Sequence, residues 1–151
     1  MDILNFTIEQ KIENCRTFLR YWETVPDENI SIGLTNFRED SYHRNTPATC
    51  NTIACAGGWL PAMPEFAALG ISWAASGSPN IETEDSKISS WRTLAYLLFG
   101  SHTIFNTMDN TGELTNDDCT LRPKVVVTNR FKKAIFDLTV LSTLIKQGKF
   151  V

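Results

Sequence analysis

The sequence predicts a mainly α, single-domain protein of four to five helices joined by long loops, with room for one small two-stranded element. Three observations predict it. Apolar residues recur at helical spacing near both ends of the chain, Ser/Thr caps and terminal glycines bracket these stretches, and the segments between them are rich in Asn, Ser, Gly and Pro. The 151 residues are 42% hydrophobic and 21% charged, which is the make-up of one globular domain.

Thr7 and Gln10 form a capping-box signature, and Ile8, Ile12, Cys15, Leu19 and Trp22 then fall on one helical stripe until Val25-Pro26 stops it. Residues 27–49 are irregular, although Ile30, Ile32 and Leu34 alternate as in a short strand. Residues 52–63 are small and apolar and predict a short buried helix ended by Pro61 or Pro64. Gly57 and Gly58 weaken that helix by about 1 kcal/mol each, so they are expected where a neighbour packs closely. Leu69-Gly70 reads as a helix end, and residues 75–87 as a surface loop. Ser89 or Ser90 caps the next helix, whose buried face is Trp91, Leu94, Ala95 and Leu98 and whose end is Gly100. The β-branched run Val125–Val127 predicts a strand that could pair with residues 30–34. Thr128 then opens the last helix, with Phe131, Ile135, Leu138, Leu141 or Ser142, and Ile145 on its stripe, Lys146 in its last turn and Gly148 past its end.

The expected compartment is the host-cell cytosol, because no basic n-region precedes an apolar stretch and no window of about 18 residues is apolar enough to span a bilayer. There the four cysteines are expected as free thiols. The motifs of common catalysts fail on spacing. Gly70-Ile71-Ser72-Trp73-Ala74 lacks the closing glycine of a nucleophile elbow, and Gly57-Gly58 is followed by Trp59-Leu60-Pro61 where a phosphate loop needs Lys-Ser or Lys-Thr. Asp109-Asn110-Thr111-Gly112 brings its glycine too early for a calcium loop.

One cysteine arrangement stays open. Cys50 and Cys55 are the close pair, and His43, seven residues earlier, completes a Cys-Cys-His set. On one helix the two thiols would point roughly 140° apart, so zinc needs a bend near Asn51. Cys50 also sits where a helix N-terminus would lower a thiol pKa, with His43 or His102 as the candidate base. A cysteine- or zinc-dependent enzyme is therefore the alternative to the preferred reading, which has no catalytic residue, metal or cofactor.

The segment Cys50-Asn51-Thr52-Ile53-Ala54-Cys55-Ala56-Gly57-Gly58-Trp59 resembles the pattern Cys-[Gly/Asn]-Thr-x-x-Cys-x-x-Gly-[Trp/His] of small uncharacterised accessory proteins of tailed phages and prophages. Weaker likeness extends through Phe66, Leu69-Gly70-Ile71 and Leu97-Leu98-Phe99-Gly100. The resemblance implies a protein that binds a host protein and inhibits or redirects it, an anti-defence role included. Physically, Cys50, Thr52 and Cys55 read as a structural joint, with Thr52 as a cap and Trp59 as its anchor. Gly57, Gly58 and Trp59 are also candidate borders of a contact surface.

Two further features point to surfaces. The chain holds 16 Trp, Tyr and Phe residues, a surplus expected to place Trp22, Trp73 and Tyr42 in an interface. The net charge of -3 also hides an asymmetry: residues 122–151 hold seven basic side chains and one acid, while the rest is strongly acidic. Arg130, Lys132 and Lys133 are candidates to dock an acidic partner, or a nucleic-acid backbone with Phe136 nearby.

Overall fold

The computed structural model describes residues 3–26, 59–73, 79–82, 87–88, 90–105 and 123–149, and these are mainly helical. Helix α1 is Ile8–Trp22, and its N-terminus carries the predicted capping box: the Gln10 amide donates to Thr7 Oγ1 and the Thr7 amide donates to Gln10 Oε1. The two reciprocal bonds satisfy donors that the first turn leaves without helical partners. Its buried stripe is Ile12, Cys15, Phe18 and Trp22, with Ile8 and Leu19 at the margin.

Trp59 leads into a 3-10 turn, Leu60–Ala62, and Pro64 opens the short helix α2, Pro64–Ala67. Both prolines stand at helix starts, where a missing N–H costs nothing. Gly70, with φ of 91°, turns the chain into a small antiparallel sheet of β1 (Ser72–Trp73), β2 (Pro79–Glu82) and β3 (Lys87–Ile88). Ile81 faces Ile88 across β2 and β3, and both are buried, so the sheet adds two apolar side chains to the core. The loop expected over residues 75–87 is thus corrected for 79–82 and 87: Ser, Pro and Asn masked a strand whose signal is Ile81.

Helix α3, Trp91–Phe99, starts with Ser90 Oγ accepting from the Thr93 amide and ends at Gly100 with φ of 75°, both as predicted. Helix α4 is Pro123–Lys146. The strand expected at Val125–Val127 instead lies in its first two turns; the start signal is Pro123, fixed in φ for a first helical position, and burial of Val127 outweighs β propensity. The proposed strand partner at 30–34 lies outside the described residues.

Helices α1 and α4 pack antiparallel. At one end the Trp22 indole N–H donates to the Lys124 carbonyl at 3.2 Å, and at the other the Ser142 hydroxyl donates to Glu9 Oε1 at 2.9 Å. The first end is clasped in both directions, because Lys124 Nζ donates back to the carbonyls of Glu23 and Val25 at 2.8 Å each. These carbonyls lie at and just past the end of α1, where the dipole favours a cation. At the second end Lys146 lies 3.7 Å from the same carboxylate. Glu9 is held below its ordinary value, first by a backbone hydrogen bond and then by Ser142. The bond to Glu9 explains why Ser142 occupies a buried stripe position while Leu141 stands partly out of the core.

Helix α3 docks on α1 through its C-terminal carbonyls: Asn14 Nδ2 donates to the Leu98 carbonyl at 3.0 Å, and Cys15 Sγ lies 3.9 Å from that of Phe99. Burial pushes the Cys15 thiol up to about 12. The three helices close over an aromatic centre. Phe18 stacks on Phe131 at 4.0 Å and on Trp22 at 5.6 Å, while Phe99 meets Phe131 edge-on at 4.9 Å. Phe66 and Phe105 extend the cluster from α2 and from the turn after α3. Such offset and edge-on ring pairs add about 0.5–1.5 kcal/mol each beyond area burial.

Candidate functional site

The aromatic centre redistributes the residues expected at a contact surface. Trp22 is fully buried and its N–H is used inside the fold, so its assignment to an interface is corrected to the core. Trp59 is buried with the core as well, which supports its anchor role. For Trp73 the structure gives a place in β1, paired with Pro79, and nothing beyond the backbone. Tyr42, His43, Cys50, Thr52, Cys55, Gly57 and Gly58 lie outside the described residues, and with them the Cys-Cys-His set and the motif joint. Among the described residues no group of three His, Cys, Asp or Glu side chains converges as metal ligands. Cys15 is the one described cysteine, and it is buried.

What the structure does bring together lies on α4. Its inner face holds Val127, Phe131, Ala134 and Leu138 in the core. Its opposite face should be polar, yet Phe136 is 67% exposed and Val140 41% exposed, and Val125 is exposed three turns earlier. Residues four apart are neighbours on one helix face, so Phe136 and Val140 form a continuous apolar ridge. Lys132 and Lys133, both exposed, stand one turn before Phe136.

On a different flank of α4, towards its inner face, an open groove of about 320 Å³ runs between the helix and the turn 100–104. Ala134, Leu138 and Leu141 supply its apolar wall from α4, and Ile104 from the turn. Arg130, Lys133 and Asp137 form its rim. The turn is placed by Gly100: a side chain there would meet Leu138 Cδ2 at 2.9 Å, so glycine lets the chain cross close to α4. Arg130 Nη1 reaches the Thr103 carbonyl at 3.5 Å, and Lys133 pairs with Asp137 at 2.6 Å. Both members of that pair are more than half exposed, so the bond is weak and open to exchange with a partner's charge.

Two of the three predicted basic residues, Arg130 and Lys133, thus reach one groove, while Lys132 flanks the ridge. Sequence reasoning noted Phe136 only as an aromatic beside the basic residues and missed Val140 as a surface residue. The signal was available, since both fall off the stripe defined by Phe131, Ile135 and Leu138. Two further basic side chains of this helix serve the fold: Lys124 caps α1 and Lys146 lies beside Glu9.

The fold and the site together define a mainly helical protein whose helix α4 carries an exposed apolar ridge and, on another flank, a groove lined by Arg130, Lys133 and Asp137. No protein-family model, curated protein or solved structure matches the chain. Among the described residues no helix is long and apolar enough to cross a membrane.

Proposed function

We propose that the chain is a binding protein without chemistry of its own, which grips another protein through the exposed ridge of α4 and thereby blocks or redirects it. The observation that carries this reading is Phe136: a large aromatic ring two-thirds in solvent, next to Val140, on a helix whose other face already fills the core. An exposed aromatic and aliphatic pair with a polar surround has the composition of a protein contact. The expectation that the partner is a host protein, and the process a phage-type anti-defence one, comes from the motif resemblance and is part of the same proposal.

Affinity capture from lysate of the source cells tests it, with the wild-type chain and Phe136→Asp as baits. The expected result is a partner held by the wild type and lost by the variant, with an unchanged melting temperature. Identical captured sets would refute the reading, as would stoichiometric zinc or a turnover abolished by replacing Cys50 or Cys55. Nucleic acid is disfavoured because Arg130, Lys132 and Lys133 span one helical turn, whereas a phosphate track needs cations along its length. Binding to single-stranded DNA that collapses between about 50 and 200 mM salt would reverse that preference.

A further inference from the structure

We infer that the partner element received by α4 is an acidic amphipathic helix. This rests on the reading of α4 as the contact surface and adds the chemistry of what docks there.

The geometry favours a helix lying alongside α4. Phe136 and Val140 stand about 6 Å apart along the axis, close to the pitch of a second helix, so apolar side chains on successive turns of such a partner can straddle them. Charge then selects among amphipathic helices. The segment 130–137 presents Arg130, Lys132 and Lys133 against Asp137 alone. Lys133 and Asp137 already form an exposed pair. A carboxylate brought to Lys133 therefore replaces one weak partner with another and leaves Lys132 free for a second. Residues 1–121 carry 16 acidic and seven basic side chains, so a basic segment is drawn to the rest of the chain and an acidic one is steered to α4. The same asymmetry discriminates: a partner helix with lysines beside its apolar stripe would set like charges together on both sides of the ridge.

The experiment pans the immobilised full chain against a displayed library of random peptides of about 16 residues, long enough for a four-turn helix. Selected peptides are then made synthetically and titrated against the wild type, Phe136→Asp, and the double variant Lys132→Glu/Lys133→Glu, each verified to melt as the wild type does. The expected peptides carry Asp or Glu on both sides of apolar residues spaced three and four apart, and lose roughly tenfold or more in affinity on either variant. Reversing the acids of such a peptide to lysines restores binding to the double variant. Peptides that fail on Phe136→Asp, yet show no acidic excess and ignore the double variant, overturn the acidic helix and leave the surface standing. Peptides that bind all three proteins alike, or no selection at all, overturn the surface reading too. Self-association lost in Phe136→Asp would hand the ridge to a second copy of this chain. Sedimentation with phosphatidylcholine–phosphatidylglycerol vesicles, lost in the same variant, would hand it to lipid. Either result overturns the inference.

Discussion

Two phenylalanines five residues apart on α4 should respond in opposite ways to the same substitution. Phe131 is fully buried, stacked at 4.0 Å on Phe18 and edge-on at 4.9 Å to Phe99, so Phe131→Ala removes a whole ring and leaves a cavity at the meeting point of three helices. Changes of this kind cost about 3–5 kcal/mol, a large share of the roughly 5–15 kcal/mol that holds a domain together. Phe136 buries only a third of its side chain. Full burial of a phenylalanine contributes about 1.5–3 kcal/mol, so at most about 1 kcal/mol is lost in Phe136→Ala. Alanine's better helix propensity returns about half of that. In urea, with a slope of about 2 kcal/mol per molar, Phe131→Ala should move the midpoint down by roughly 2 M and Phe136→Ala by less than about 0.3 M. Equal shifts, or a larger one for Phe136, would refute the assignment of inner and outer faces and with it the contact surface.

The clasp at Lys124 predicts that Lys124→Met, which keeps the stem and removes the ammonium, costs about 1–2 kcal/mol by urea denaturation, since two carbonyls near the end of α1 lose a charged donor. An unchanged midpoint would mean that water replaces it without penalty. With its thiol pushed up to about 12 by burial, Cys15 should stay unmodified by iodoacetamide at neutral pH until the protein opens, as read by site-resolved mass spectrometry; labelling as fast as in urea would contradict its place under Phe99. Glu9 is lowered from 4.5, so the stability it lends is present above that value and is lost as pH falls through the lower folded one. Glu9→Gln should therefore flatten the acid limb of a stability–pH curve, and a limb of unchanged slope would show that Glu9 does not contribute to it.

The sequence announced helices best where local chemistry decides them. Thr7 with Gln10, Ser90 and Gly100 mark their ends through bonds and backbone conformations that involve a few neighbouring residues. It misled where distant packing decides. The run Val125–Val127 has strand character on its own, and it is helical because Pro123 opens the helix and Val127 is buried. Ser142 appeared interchangeable with Leu141 because nothing nearby reveals that Glu9, 133 residues away, supplies its partner. The aromatic surplus carried the same ambiguity. A ring count does not say which rings meet, and Phe18, Phe99 and Phe131 join from three separate helices. The site was half visible: Arg130 and Lys133 were identified by charge, whereas Phe136 and Val140 needed the core face of α4 to be fixed before their exposure acquired meaning.

The antiparallel pairing of α1 with α4 joins positions 102 residues apart at the Trp22–Lys124 bond. On the ribosome, where elongation adds about 5–20 residues per second, the end of α1 leaves the exit tunnel roughly 5–20 s before its mate does. Throughout that interval Phe18 and Trp22 have no lid from α4, and the nascent segment offers a greasy stripe to any holdase within reach. Final closure is therefore a late event of biosynthesis, and a truncated translation product ending before residue 123 should be a target for proteolysis.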